Sequence, residues 1–148
     1  MPHTPALSAS VQLLVHFFEN LKPQDLSLLS EHYDKEARFK DPFNEVQGLP
    51  AIERIFVHMF ESLDSPHFIV SECIQQGQQC FLVWVFRFRF KRFDTQHWQT
   101  VRGASHLVFN EKGLVTLHRD YWDAAEELYE KLPLVAGLMR WLKRRANT

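Results

Sequence analysis

The segment at residues 80–93 has the sequence CFLVWVFRFRFKRF. Side chains of a β-strand point alternately to its two faces, so this segment can be sorted with a period of two. The first face is apolar throughout and carries Leu82, Trp84, Phe86, Phe88 and Phe90. The second face begins apolar at Phe81 and becomes charged from Arg87 onwards. We therefore expect a long strand whose first face packs against helices and whose second face is half covered, with a subunit partner as one candidate for the cover.

Three further strands are predicted around this segment. Gln76-Gly77 is a hairpin turn signal, and Asp94–His97 and Asn110–Gly113 are the turns that follow it. Strands joined by such short turns form an antiparallel meander. The predicted strands are Phe68–Ile74, Cys80–Phe93, Trp98–Phe109 and Leu114–Trp122.

The N-terminal half is predicted to be helical, because its apolar residues recur at intervals of three and four. Lys22-Pro23 separates the first two helices, and a short extended piece at Ala37–Lys40 ends at Asp41-Pro42. Pro50 suits the first turn of the third helix. The predicted helices are Val11–Leu21, Gln24–Tyr33 and Ala51–Leu63, followed by a C-terminal helical segment, Asp123–Arg145, that is broken or kinked at Pro133. This order predicts an α+β fold with the helices on one face of the sheet.

The composition indicates one domain over residues 1–148, with a core at about 8–122 and a helical extension at 123–145. Lys and Arg number 17 against 18 Asp and Glu, which argues against a nucleic-acid partner. The sequence lacks a transmembrane run and the basic, apolar start of a signal peptide, so we expect a cytoplasmic protein. At the C-terminus, Arg140 and Arg144 belong to a basic cluster. Cations at a helix C-terminus are the favoured interpretation and a membrane contact is the alternative.

The histidines and cysteines predict no metal site. The eight histidines are scattered without metal-ligand spacing, so we expect neither a metal nor a cofactor. A two-residue turn at Gln76-Gly77 would place Cys73 directly opposite Cys80. Two buried thiols are favoured over a disulfide, because the cytoplasm is reducing.

The segment His32–Pro42 has the pattern Tyr-x-x-x-Ala-x-x-x-Asp-Pro, and a glycine and a helix follow it. It resembles the superfamily of ketosteroid isomerases, SnoaL-like proteins and nuclear transport factor 2. The turn at Phe109–Val115 and the ending His118–Asp123 are similar to other motifs of that superfamily. The resemblance implies a cone-shaped, strongly curved, mostly antiparallel sheet. Three N-terminal helices would enclose an apolar pocket with it, and a homodimer would form through the outer sheet face.

The resemblance also implies candidate catalytic residues. The aspartate of the Asp-Pro pair is the general base of steroid isomerases, and here it is Asp41. The positions of the isomerase oxyanion donors hold Phe17 and Ser105, which argues against steroid isomerisation. SnoaL-like cyclases use a His and an Asp on the last strands, which correspond to His118 and Asp120. We expect Ser105, rather than its neighbour His106, to face the cavity.

These residues support two functional interpretations. In the first, the chain is a cofactor-free acid–base enzyme of isomerase, cyclase, dehydratase or hydrolase type that acts on a small apolar molecule. In the second, it is a non-catalytic ligand-binding or dimeric interaction module, with Asp41 only capping a loop and His118 and Asp120 facing solvent at a sheet edge. The predicted substrate-binding residues are Phe17, Tyr33, Phe43, Phe56, Phe60, Trp84, Phe86, Phe88, Ser105 and Trp122.

Overall fold

The computed structural model describes residues 8–92 and 94–127, together with Trp141 and Arg144. Two helices begin the described part of the chain, a pair of strands and a third helix follow, and four consecutive strands complete the sheet, as expected for an α+β fold. A 3-10 helix at Pro23–Glu31 stands where the second α-helix was expected. The remaining elements are α1 (Ala9–Glu19), β1 (Tyr33–Lys40), β2 (Glu45–Gln47), α2 (Leu49–Ser62), β3 (Leu63–Gln76), β4 (Gln79–Phe90), β5 (Gln99–Phe109), β6 (Val115–Tyr121) and α3 (Ala124–Glu127).

The sheet has six strands in the order β2-β1-β6-β5-β4-β3. The predicted antiparallel meander is confirmed for β3 to β6. Strand β1 adds to β6 in parallel, with Phe39 opposite His118, and β2 then pairs antiparallel with β1. This parallel addition brings the residues before Asp41 beside the last strand, which is the arrangement that builds the candidate site.

The structure corrects three element boundaries. Tyr33 begins β1 instead of ending a helix, and β1 is therefore twice as long as the predicted piece Ala37–Lys40. Helix α2 passes directly into β3 at Leu63, and the predicted stop Asp64-Ser65-Pro66 lies inside the strand at an irregularity in the pairing. Pro66 is tolerated because β3 is an edge strand, where a missing N–H need not break a ladder bond.

The hairpin between β3 and β4 turns one residue later than predicted. Gln76 pairs with Gln79, so the turn is formed by Gly77 and the residue after it, with Gly77 at φ +61°. Cys80 consequently pairs with Gln75, and the prediction that Cys73 and Cys80 are directly opposite is wrong. Both thiols are free, Cys80 buried and Cys73 half-buried.

The inner face of the sheet packs against the helices. The prediction for β4 is confirmed, because Leu82, Trp84 and Phe88 are buried while Phe81 on the other face is exposed. Burying one such side chain contributes about 1.5–3 kcal/mol, so this layer accounts for much of the stability. The helical side of the core is formed by Val11, Leu14, Phe17, Phe18, Leu21, Leu26, Leu29, Ile52 and Phe56.

The outer face of the sheet is partly covered by this chain itself. Trp98 lies under two cations of β4, with the Arg87 and Arg89 guanidinium carbons 5.3 and 4.7 Å from its ring centre. Arg102 of β5 donates to Oε1 of Glu127, a buried carboxylate on α3, at 2.9 Å. Helix α3 therefore lies beside β5 on the outer face.

Of the predicted C-terminal helical segment, Asp123–Arg145, the described residues are 123–127, Trp141 and Arg144. Its predicted kink at Pro133 lies outside them, as does Arg140 of the basic cluster. Trp141 and Arg144 are described, and both are exposed. None of the helices in the described part of the chain is long and apolar enough to cross a membrane.

Candidate functional site

Five side chains form one continuous hydrogen-bonded chain across the inner face of the sheet. Trp84 Nε1 donates to Ser105 Oγ at 2.8 Å, and Ser105 Oγ donates to Asp120 Oδ1 at 2.5 Å. The same oxygen lies 2.7 Å from His118 Nε2, and His118 Nδ1 lies 2.5 Å from the Tyr33 hydroxyl. The Asp120 side chain is 18% exposed and the His118 side chain 5%, whereas Tyr33 is fully buried. Among the titratable side chains of this hydrogen-bonded series, Asp120 is thus the most accessible to solvent.

Strand register explains why these residues meet. Alternation along β6 sends His118 and Asp120 to the inner face, so the alternative in which they face solvent does not hold. Ser105 lies directly opposite Asp120 across the antiparallel pair β5–β6. The parallel pair β1–β6 carries Tyr33 to His118, although 85 residues separate them in the sequence. His106 points to the outer face, where its ring stacks on Phe81.

The hydrogen-bond partners define the protonation of the site. A carboxylate only accepts hydrogen bonds, so His118 Nε2 carries a proton and donates it to Asp120. Burial, together with the negative charge of Asp120, raises the pKa of Tyr33 well above its ordinary value of 10.0, so the phenol keeps its proton. The Tyr33 hydroxyl thus donates to Nδ1 of the imidazole whose Nε2 contacts Asp120. Every donor and acceptor of this pair has a partner, which a buried polar network requires.

An aromatic cavity of about 390 Å³ lies next to this chain of hydrogen bonds. Asp120 is part of its wall, and it also lines a separate void of about 30 Å³ that Ser105 and His118 border. Cavities of this size are typical of small-molecule sites. The ring-bearing wall residues are Phe39, Phe43, Phe56, Phe68, Trp84, Phe86, Phe88, Phe90 and Trp122, with His58 as a further ring.

Asp41 also borders the cavity, but its carboxylate is occupied by its own loop. Its Oδ1 accepts from the backbone N–H of Phe43 at 2.8 Å and of Asn44 at 2.7 Å, and from Asn44 Nδ2 at 3.1 Å. Its backbone N–H donates to the Asn44 carbonyl at 2.9 Å. This is the geometry of a side chain that caps a turn. The loop-capping interpretation therefore has direct geometric support at this position.

Eight of the thirteen predicted site residues border the cavity, Ser105 and His118 line only the small void beside it, and three line neither. Phe17 packs against His32 at 4.3 Å between ring centres, because its position on α1 faces the 3-10 helix. Tyr33 lies behind His118, and its hydroxyl is hydrogen-bonded to the imidazole. Phe60 is half-buried on α2 and is not part of the cavity wall, whereas Phe56 and Met59 of the same helix are. Neither Phe17 nor Tyr33 can therefore supply an oxyanion donor to the cavity.

Sequence reasoning missed several wall residues. Phe68 stacks on Phe86 with ring centres 4.4 Å apart, and the same period-two pattern applied to β3 would have placed it on the inner face. Phe39 lies 4.7 Å from the His118 ring and depends on the parallel register of β1, which carries no local signal. The described residues contain no group of three or more His, Cys, Asp or Glu that could hold a metal ion.

The fold and the site together define an α+β protein with an aromatic cavity whose wall includes the carboxylates of Asp41 and Asp120. A model of the SnoaL-like domain matches residues 14–118, well over half of the chain, so the chain belongs to the SnoaL-like family. The nuclear transport factor 2-like and ketosteroid isomerase-like fold is shared by solved structures. No curated protein matches the chain in sequence.

Solved structures with this fold carry several different names. A proposed SnoaL-like polyketide cyclase from Shewanella putrefaciens CN-32 has a TM-score of 0.71 at 16% identity, over 87% of this chain and 99% of that one. A ketosteroid isomerase-like protein from Catenulispora acidiphila DSM 44928, in complex with trimethylamine, has a TM-score of 0.68 at 14% identity, over 83% and 92%. An LEH-like epoxide hydrolase from M. tuberculosis has a TM-score of 0.65 at 13% identity, over 88% and 93%. At identities this low, the structural similarity establishes a common fold, and the activity has to be argued from the side chains of the site.

Proposed function

We propose that this protein is a cofactor-free acid–base enzyme that acts on a small, largely apolar molecule bound in the aromatic cavity. Asp120 is the proposed base, and His118 and Ser105 are its positioning residues. One observation carries the proposal. Asp120 presents a carboxylate to a largely aromatic wall, with Oδ1 held by two donors and Oδ2 without a hydrogen-bond partner among the described residues.

This geometry suits transfer of a proton to and from a bound molecule. Hydrogen bonds from Ser105 and His118 fix the orientation of the carboxylate, so Oδ2 can accept a proton from a carbon next to a carbonyl group or from a water molecule. The protonated carboxyl then returns that proton to the intermediate or product, and the group is regenerated. No redox change occurs, so the step needs no cofactor. The aromatic walls exclude bulk water and favour the apolar body of the substrate.

The named relatives support a proton-transfer role without selecting one reaction. Ring closure by a polyketide cyclase and opening of an epoxide by a hydrolase both require that a proton be moved. The trimethylamine complex of the Catenulispora relative supports the use of this fold to hold a small molecule. Isomerase, cyclase, dehydratase and hydrolase chemistry remain the reaction types of the proposal. Steroid isomerisation is disfavoured because Phe17 and Tyr33 provide no oxyanion donor to the cavity.

The proposal also includes the shape and assembly of the protein. A strongly curved, cone-shaped sheet would surround the ligand, and two copies would pair through the outer sheet face. Large apolar side chains on that face support the homodimer, because Ile69, Ile74, Phe81 and Tyr121 are between 41% and 61% exposed. The free thiols of Cys73 and Cys80 support a reducing, cytoplasmic location.

Hydrogen–deuterium exchange at carbon tests the proposed base. Cyclohexanone and indanone are incubated with the protein in deuterated buffer, and loss of the protons next to the carbonyl is followed by NMR. We expect the wild-type protein to accelerate exchange and Asp120→Asn, which keeps an acceptor for Ser105 and His118, to lose at least a hundredfold of that acceleration. Glu53→Gln, which alters an exposed carboxylate on α2, is the control and retains it.

Two results would contradict this assignment. Exchange by Asp120→Asn at the wild-type rate would show that Asp120 is not the base. Ketones that bind in the cavity of the wild-type protein but exchange no faster than in buffer would favour the non-catalytic binding module. Binding is measured on the same samples from ligand line widths, so the two outcomes are separated in one experiment.

A further inference from the structure

The charged groups of the cavity wall all have one sign. Asp41 and Asp120 are the carboxylates of the wall, and the described wall residues include no lysine or arginine. The other polar side chains are those of Asn44, His58 and Ser62, and the Asn44 amide already donates to Asp41. The described cavity wall thus combines two carboxylates with no lysine or arginine, and two cations, Lys40 and Arg119, border the same carboxylates in a separate surface pocket.

The aromatic rings of the wall favour the same sign of ligand. Nine Phe and Trp side chains line the cavity. The face of an aromatic ring carries partial negative charge, so it attracts a cation, and Trp does so most strongly. Two of the rings, Trp84 and Trp122, are indoles, and Trp84 is itself fixed by its hydrogen bond to Ser105. Rings and carboxylates therefore both stabilise a positive charge and both disfavour an anion.

The size of the charged group follows from the cost of dehydration. A compact primary ammonium would exchange strongly bound water for only a few acceptors, namely Oδ2 of Asp120 and Oδ2 of Asp41, which already accepts from Asn44 Nδ2 at 3.2 Å. An alkylated ammonium spreads its charge over apolar methyl or methylene groups and holds water weakly. Such groups can contact the ring faces directly, which is how aromatic sites recognise quaternary ammonium ligands. The wall chemistry thus suits an amine with an apolar body.

We infer that the cavity binds a small organic ammonium ion, with its alkyl groups against the aromatic rings and its positive charge towards the carboxylates of Asp41 and Asp120. This inference rests on the proposed function only in placing the ligand in the same cavity. It narrows the substrate class from a small apolar molecule to one that carries a basic nitrogen. It also gives Asp41, at the loop, a binding role that is separate from the proton transfer assigned to Asp120.

A series of probes with one shape and three charges tests this inference. N-methylpiperidine is an alkylated ammonium cation at neutral pH, cyclohexanol is neutral, and cyclohexanecarboxylic acid is an anion, and all three carry a saturated six-membered ring. Binding of each probe to the full chain is measured by titration calorimetry and by NMR shift changes at low salt. We expect the amine to bind at least tenfold more tightly than the alcohol, and the acid to bind most weakly. The attraction between a bound cation and a carboxylate a few ångströms away in a half-buried site corresponds to more than a tenfold change in affinity.

Variants assign the preference to the cavity carboxylates. Asp41→Asn and Asp120→Asn are each expected to weaken the amine at least fivefold and to change the affinity of the alcohol less than twofold. Glu53→Gln, far from the cavity wall, is the control and leaves both affinities unchanged. Two variants are used because Asp41 also caps its loop, and circular dichroism reports whether each one is folded.

The results separate this inference from the proposed function. Equal or tighter binding of the alcohol, tightest binding of the acid, or no binding of any probe at millimolar concentration would overturn the inference. The exchange experiment on neutral ketones does not depend on these results, so proton transfer by Asp120 can stand when the cation preference fails. Conversely, a strong preference for the amine without any ketone exchange would support the amine-binding inference and would contradict the proposed enzymatic activity.

Discussion

The hydroxyl of Tyr33 provides a direct test of the buried hydrogen-bonded chain, and it needs no ligand. Tyr33→Phe keeps the ring, which lies parallel to the His118 imidazole within 11°, and removes only the donor to Nδ1. The acceptor nitrogen is then left buried without a partner. Leaving a buried polar atom unsatisfied costs about 1–3 kcal/mol. For a chain of this length, a loss of about 2 kcal/mol lowers the melting temperature by about 6 °C.

Urea and thermal unfolding, followed by circular dichroism, measure this loss. Tyr121→Phe is the matched control, because the Tyr121 side chain is half exposed on the outer face and its substitution is expected to change stability by less than about 0.5 kcal/mol. An equal stability of the two variants would refute the hydrogen bond between Tyr33 and His118. It would also disconnect Tyr33 from the series of hydrogen bonds that ends at Asp120.

The same residue predicts a pH dependence. Burial raises the pKa of Tyr33 above 10.0, the ordinary value that it recovers in the unfolded chain. Above pH 10 the unfolded chain loses this proton while the folded chain keeps it, so the folded state binds more protons. Stability is therefore complete below pH 10 and falls as the pH rises through the folded pKa. Tyr33→Phe should remove this part of the slope, and a wild-type slope unchanged in the variant would contradict the assignment.

Two further predictions concern the packing around the cavity and the buried thiol. A Cβ at Gly103 would lie 2.5 Å from Cη2 of Trp84 and 3.0 Å from Cβ of Trp122, so Gly103→Ala is expected to cost about 1–3 kcal/mol and to shift the tryptophan fluorescence. Ala104→Ser on the opposite face is its control, and an unperturbed spectrum would contradict the close approach. Burial, followed by the neighbouring Cys73, raises the pKa of Cys80 to about 12. Alkylation of Cys80 by iodoacetamide at pH 8 should therefore be about a thousandfold slower than in urea-unfolded chain, and comparable rates measured by mass spectrometry would show an accessible thiol.

The sequence predicts the sheet well where the pattern is local. The alternation from Leu82 to Phe90 identifies the face of β4 that is buried, because a period of two is a property of the strand alone. The boundary at Leu63 is harder to predict. Polar and proline residues at Asp64-Ser65-Pro66 end the helix, as expected, but they do not reveal that the chain continues at once as an edge strand. Edge positions tolerate such residues, and edge position is set by the whole sheet.

The site shows the same division between local and distant information. Inward placement of Ser105, His118 and Asp120 follows from alternation once the two last strands are recognised. The Tyr33–His118 hydrogen bond does not follow, because it depends on the parallel pairing of β1 with β6 over a long separation in sequence. Periodicity assigns faces within one strand and contains no information about which distant strand lies beside it.

The two carboxylates of the cavity differ in what holds them, and this difference assigns their roles. Asp41 is held by backbone amides two and three residues ahead, so the turn itself explains its presence. Asp120 is held by side chains of β5 and β6, which in turn depend on Trp84 and Tyr33 from two other strands. A buried polar network of this kind adds little stability over the apolar residues that could fill the same space. Stability alone therefore does not account for this network, which supports the proposal that Asp120 is the base.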